Sequence, residues 1–245
     1  MKLPISKRLL LCAELVPPCH TVADVGTDHG YLGIHLLQAG ICRRVIAADL
    51  REKPLASARA NAAAYGIPSL TGAAGGDESW RGMCFIQSDG LQKLAPGSFQ
   101  SLVLAGMGGD LIAGILSGAS WLEGGDYTLI LQPQSGANDL RRWIGERGWL
   151  IQRERLVRDG HFLYAVLSVL PKGGDRLSPG EQYVSPALRR EQDPLYCAYL
   201  ARMCRALELT VSGITCSTDP ADLARAPYYQ AALEEVQALK GSAEP

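Results

Sequence analysis

No apolar run in this 245-residue chain approaches the roughly 18 residues needed to cross a bilayer, which excludes a helical membrane span. The opening MKLPISKRLLLCAELVPPCH has its apolar stretch broken by Glu14 before any small-residue cleavage site, so no export signal is expected and the chain is read as cytoplasmic. No C-x-x-C pair occurs among the seven cysteines, whose odd number and scatter argue against a disulfide framework or a zinc ribbon. No metal is expected. A surplus of one charge is missing too: 24 Lys and Arg stand against 25 Asp and Glu, a net −1. This excludes a strongly basic nucleic-acid coat and leaves any nucleic-acid partner to a local patch. What the chain does have is 47% hydrophobic residues, enough for a substantial core. Its length suits one large domain, or a domain of about 170 residues with an appendage.

Strand-like and helix-like segments alternate from residue 21 onward. A strand at 21–25, a helix at 31–39 closed by Gly40 and a strand at 44–49 make a βαβ unit. The series continues with a helix at 53–65 ended by Gly66, strands at 84–88 and 101–105, a helix from about Gly109, a strand at 128–132 and a helix at 138–147. Such alternation predicts a doubly wound parallel sheet covered on both faces. Strands 150–157 and 162–170 are separated only by Arg158-Asp159-Gly160-His161, too short for a parallel return, so they are antiparallel. The expected fold is therefore α/β, a Rossmann-like class I methyltransferase sheet with one antiparallel strand.

After Pro171-Lys172-Gly173-Gly174 the strands stop, which divides the chain into a domain at 1–172 and a helical C-terminal domain at 173–245. Tyr199, Leu200, Met203, Leu207, Val211 and Ile214 form an amphipathic stripe. A second helix starts at Asp219, with Pro220 suited to its first turn, and is interrupted by Pro227. The two predict an antiparallel, coiled-coil-like hairpin that acts as a stabilising cap. Segment 70–82, rich in Gly and polar residues, reads as a mobile surface loop.

The chemistry gathers at successive strand ends, the edge where open α/β sheets bind ligands. Asp24-Val25-Gly26-Thr27-Asp28-His29-Gly30 has the spacing D-x-G-x-x-x-G and not G-x-G-x-x-G. Asp28 stands where a dinucleotide site wants glycine; its charge repels a pyrophosphate and suits the ammonium of an amino-acid moiety, such as that of S-adenosylmethionine. Asp49 ends the second strand and is suited to accept from both ribose hydroxyls, and Asp89, in Ser88-Asp89-Gly90-Leu91, from an adenine amino group. A lone Asp after a strand is usually a helix cap. Three such signals at three successive ends outline a site for methionine, ribose and adenine. Ala105-Gly106-Met107-Gly108-Gly109-Asp110 lacks the Asn/Asp-Pro-Pro-aromatic motif of amino-methylating DNA enzymes. Its small residues allow close approach, which favours a ring nitrogen as nucleophile. The amides of Gln132-Pro133-Gln134 are placed to meet a base edge.

At these residues the chain resembles the bacterial tRNA adenine-N1 methyltransferases that modify adenine 22. The resemblance rests on SKRL (6–9), VADVGTDHGYL (22–32), IAADL (46–50), SDGL (88–91), LAGMGGDLI (104–112), LILQPQ (129–134), LRRWIGERGWLI (140–151) and PALRREQDPLYCAYL (186–200). It departs at Gly33, where proline is expected, and in the longer 70–82 loop. The resemblance implies transfer of a methyl group from S-adenosylmethionine to adenine N1 in tRNA. It implies cofactor contacts from Arg8, Asp24, Gly26, Asp28, Gly30, Asp49, Leu50, Asp89, Gly90, Leu91 and Gly106. Catalytic roles fall to Asp28, His29 and Met107, and tRNA contacts to Gln132, Arg141, Arg142, Arg189 and Arg190. The alternatives are a noncatalytic tRNA-binding protein that retains the cofactor fold and, opposed by Asp28 and the antiparallel strand, an NAD-dependent oxidoreductase. Oligomeric state is not legible.

Residues 217–245 carry a net −3, which leaves +2 for the rest. Arginines cluster at 141, 142, 147, 153, 155 and 158 and again at 189, 190, 202 and 205, while Lys2, Lys7 and Arg8 mark the N-terminus. Such clusters can hold phosphates. The default for any one of them is a solvated helix face.

Overall fold

The computed structural model describes residues 3–71 and 80–243. Lys2, Glu244 and most of the segment read as a surface loop lie outside the described residues. Eight strands, β1 (Cys19–Val25), β2 (Cys42–Asp49), β3 (Ser69–Thr71), β4 (Gly82–Gln87), β5 (Ser101–Gly108), β6 (Thr128–Ser135), β7 (Trp149–Asp159) and β8 (Phe162–Gly173), form one sheet. Their order is β3-β4-β2-β1-β5-β6-β8-β7. All pairings are parallel except those of β8, which runs antiparallel between β6 and β7. The β7–β8 hairpin was expected; the insertion of β8 inside β7 restores β7 to the parallel direction and brings its carboxyl end to the same edge as those of β1, β2, β5 and β6.

Alternation along the central strands divides the core into two layers. Ala23, Val25, Leu102, Leu104, Leu129 and Leu131 point into one layer, while Val22, Val103 and Ile130 point into the other. Five helices, α1 (Lys7–Leu15), α2 (Tyr31–Gln38), α3 (Glu52–Ala64), α4 (Gly109–Ser117) and α5 (Ala137–Glu146), cover the two faces. Complete burial of each aliphatic side chain contributes about 1.5–3 kcal/mol before entropy is counted. The departure at Gly33 has a packing reason. A Cβ there would stand 2.9 Å from Val45 Cγ1 and 2.8 Å from Met83 Cε, so a larger residue at this position would require those side chains to shift where α2 packs on β2 and β4.

Three elements differ from expectation. Helix α1 was not foreseen; the Ser6 hydroxyl caps it by accepting from Leu9 N–H, and Leu11, Cys12, Ala13 and Leu15 bury its inner face. Strand β3 occupies the start of the segment read as a loop and pairs with β4. The last helix, α8 (Pro220–Ala243), runs through Pro227 without a break. Contacts of Tyr228, Tyr229, Leu233 and Val236 with the core hold the helix on the carboxyl side of Pro227. Helices α6 (Pro186–Arg190) and α7 (Tyr196–Thr215) precede it, and α7 and α8 pack together as the expected hairpin. Tyr183, Val184, Leu188, Leu200, Leu207 and Val236 join the same core layer as Leu129 and Leu131, so this region shares its interior with the sheet.

Candidate active site

The edge formed by the carboxyl ends of β1, β2, β4, β5 and β6 carries the residues singled out in the sequence. After β1 the chain turns sharply, with Gly26 at φ +78° and Asp28 at φ +51°. A left-handed Asp is uncommon and fits a short polar side chain in a forced turn. Gly26 and Thr27 N–H both donate to the Ala48 carbonyl, which binds this turn to β2. Gly30, at φ +72°, precedes α2, and a Cβ on it would stand 3.0 Å from Ala58 Cβ.

Four carboxylates mark the edge. Asp24 is buried and accepts from the Thr27 hydroxyl at 2.7 Å. Burial raises its pKa to about 6; the Thr27 hydrogen bond opposes the rise and the Asp49 charge adds to it. Asp28 is exposed, with His29 Nε2 3.6 Å from its carboxylate. Asp49 accepts from Arg51 N–H at 3.0 Å and, at 3.4 Å, from Asp28 N–H. Leu50 beside it is exposed. Asp89 is exposed after β4, in a turn fixed by the Ser88 hydroxyl, which donates to the Gly90 carbonyl and accepts from Lys93 N–H. Asp89, Gly90, Leu91 and Gln92 line a hollow of about 250 Å³ with Leu111 and Ile115 of α4. The Leu91 side chain itself is buried, which leaves its backbone for any ligand contact.

From β5, Met107 reaches back over the first turn. A Cβ at Gly26 would meet the Met107 methyl at 2.2 Å, so absence of a side chain at 26 makes the space that Met107 fills. Gln132, fully buried on β6, holds this loop: its Oε1 accepts from Gly106 N–H at 3.1 Å and from Arg8 Nη1 at 2.9 Å, while its amide N–H donates to the Pro133 carbonyl. Arg8 also lies 3.8 Å from Asp159 at the end of β7. A base-edge role for Gln132 is thus corrected to a positioning one, because its amide is enclosed and already committed. Asn61 of α3 was not recognised in the sequence. Its amide donates to the His29 carbonyl at 2.9 Å and steadies the loop that bears Asp28.

A methyltransferase-domain family pattern matches residues 5–167. The tRNA (adenine(22)-N(1))-methyltransferase of Bacillus subtilis is 30% identical over 203 residues, covering 80% of this chain and 79% of that protein. The chain belongs to this bacterial tRNA methyltransferase family. The crystal structure of B. subtilis TrmK superposes with a TM-score of 0.80 at 23% identity, covering 98% of this chain and all of that one, which establishes a common fold. A Streptococcus pneumoniae candidate for the same activity, solved in complex with S-adenosyl-L-methionine, gives a TM-score of 0.72 at 28% identity, with 94% and 99% coverage.

Not every residue expected at the site of this methyltransferase is there. Arg141 is 0% exposed and bonds to Glu154, to the Tyr199 hydroxyl at 2.9 Å and to the Gln182 carbonyl at 3.1 Å. A tRNA contact from Arg141 is therefore corrected, since no phosphate can reach it. Arg142 is exposed on α5 and paired with Asp139 at 2.9 Å. Arg189 lies 3.7 Å from Glu181. Arg190 lines a hollow with Trp149, Leu150 and Ile151, at the amino end of β7 and so away from the edge just described. Of these four arginines, Arg141 is withdrawn into the core and Arg190 lies away from the cleft edge. No membrane-length apolar helix and no cluster of three or more His, Cys, Asp or Glu suited to a metal occurs among the described residues.

Proposed function

We propose that the chain transfers a methyl group from S-adenosylmethionine to N1 of adenine 22 in tRNA, working in the cytoplasm. The observation that carries this reading is the acidic edge of Asp24, Asp28, Asp49 and Asp89 around a glycine turn, in a chain of this family. Such an edge repels a pyrophosphate and suits a cofactor that bears a sulfonium and an ammonium. The fit is specific by position. Gly26, at φ +78°, makes the sharp turn that brings Asp28 to the edge and seats Met107 against it. Asp49 retains lone pairs for the ribose hydroxyls beyond those that meet Arg51 and Asp28. The hollow beside Asp89 to Gln92 has an apolar wall, Leu111 and Ile115, against which an adenine can rest.

S-adenosylmethionine supplies a methyl group on a positively charged sulfur. Neutral adenine N1 already has a lone pair, so no base is needed before attack; the new N–C bond forms as the S–C bond breaks, and the positive charge passes from sulfur to the ring. The task left to the protein is orientation and charge stabilisation. Asp28, exposed at the turn with His29 beside it, is the carboxylate we assign to the charge that develops on the methylated ring. Met107 offers a soft apolar surface at the centre of the edge. Gln132 and Arg8 fix the loop that carries it.

The direct test is incubation with labelled S-adenosylmethionine and unmodified bacterial tRNA, followed by nucleoside mapping. N1-methyladenosine at position 22 is the expected product. Its absence under conditions where the cofactor binds would sink the catalytic reading and favour a tRNA-binding protein that keeps the cofactor fold.

A further inference from the structure

The β7–β8 hairpin runs beyond the rest of the sheet. Strand β8 pairs with β6 at Leu129↔Val169, Ile130↔Ser168 and Leu131↔Leu167. Continued in that register, Tyr164 comes level with Gln134, near the end of β6. The β7–β8 pairing persists to Asp159↔Phe162, so the tip stands two residues, about 7 Å, past that level, on the edge where the cleft opens.

What the tip presents is consistent in kind. Phe162 is 65% exposed, whereas the adjacent Leu163 is buried. The Phe162 ring lies 6.0 Å from that of Tyr164, at 36°. A shallow depression at the tip is lined by Arg158, His161, Phe162 and Leu163 together with Ala198 and Arg202 of α7. Arg202 donates to the Leu163 carbonyl at 2.7 Å, which ties α7 to the hairpin and leaves further guanidinium N–H groups unused. Arg158 has no ion-pair partner among the described residues. The carboxylate beside it in sequence, Asp159, faces Arg8 instead. Through Asp159, Arg8, Gln132 and Gly106 the tip is continuous with the loop that carries Met107.

An exposed aromatic ring with cations at the same hairpin tip matches a nucleic-acid strand, in which a base stacks on the ring and phosphates meet the guanidinium groups. We propose that the β7–β8 tip is a docking arm for the tRNA: a base other than the one methylated stacks on Phe162, and Arg158 and Arg202 hold the adjoining phosphates. This rests on the reading of tRNA as substrate and adds to it a contact surface outside the methyl-transfer cleft.

The test measures binding of a fluorescently labelled tRNA transcript to the full chain by anisotropy, without cofactor. Phe162→Ala and Phe162→Leu should each weaken binding about tenfold, and Phe162→Tyr should stay within about twofold of wild type. Arg158→Ala should weaken binding and reduce the slope of log affinity against log salt by about one. Melting temperature and S-adenosylmethionine affinity should be unchanged in all four variants. Wild-type affinity in Phe162→Ala overturns the proposal, and wild-type affinity in Phe162→Leu shows an apolar contact in place of stacking and overturns it equally. A wild-type chain with no measurable tRNA affinity also ends it. Because methyl transfer is not the readout, a chain that binds tRNA through Phe162 but does not methylate it refutes the enzymatic reading alone.

Discussion

Arg141 on α5 and Glu154 on β7 are paired in the interior, both side chains wholly buried, with Arg141 Nε donating to Glu154 Oε2 at 3.1 Å and a second, parallel bond from Nη2 to Oε1. The Ser185 hydroxyl donates to the same carboxylate at 2.6 Å, and the Tyr199 hydroxyl and the Gln182 carbonyl accept from the guanidinium. Burial alone lowers the Arg141 pKa, but Glu154 and Tyr199 together outweigh it and leave the pKa raised. The pair therefore joins the sheet to the segments that lead into α6 and α7.

Arg141→Met should consequently act on stability. Removal of one member of a buried pair leaves the other charge uncompensated, at a loss of about 3–5 kcal/mol. Urea denaturation should show that loss, and tRNA affinity of the folded fraction should stay at the wild-type value. A variant as stable as the parent but weakened for tRNA would restore Arg141 to the substrate surface.

The raised pKa of Asp24 makes stability depend on pH in a stated direction. Its native value of about 6 lies above the ordinary 3.8, so between these values the native state binds the proton more tightly. The resulting stabilisation is fully present below about pH 4, declines as pH rises and is lost above about pH 6, on the order of 2–3 kcal/mol in all. Asp24→Asn cannot titrate. Its stability relative to wild type should therefore improve as pH rises from about 4 to about 6 and level off above, as read from urea midpoints at each pH. Parallel pH profiles for the two proteins would contradict this assignment.

Asp28→Asn is the sharper probe of catalysis than Asp28→Ala. Asparagine tolerates the left-handed backbone at φ +51°, which alanine does not, and the side chain is largely exposed. Stability should change by less than about 0.5 kcal/mol. Turnover should fall roughly tenfold or more as the negative charge is lost. Normal turnover would remove Asp28 from the mechanism.

The parts legible in the sequence were those written in local pattern. Alternation of apolar segments located β1, β2, β4, β5 and β6, and the four-residue link 158–161 required β7 and β8 to be antiparallel. Acidic residues after successive strands marked the cleft edge because strand ends converge in this fold. Long-range partners were not legible. An arginine in LRRWIGERGWLI reads as a solvated helix face, and only the fold brings Glu154 and Tyr199 to Arg141. Asn61 carries no local sign of the His29 carbonyl it meets. Helix α1 does carry a local signal, Ser6 ahead of an apolar run, although Glu14 and the prolines that follow shorten its amphipathic pattern.

The bond between Arg8 and Gln132 spans 124 positions of the chain. During synthesis Arg8 leaves the ribosome long before its acceptor exists, and Gly106, which shares that acceptor, must wait as well. The glycine turn at Gly26 and strands β1 and β2 can form while translation continues; the Met107 loop gains its anchor only after β6 has emerged. A nascent chain stalled before that point would hold most of the acidic edge, yet lack the anchor of the Met107 loop.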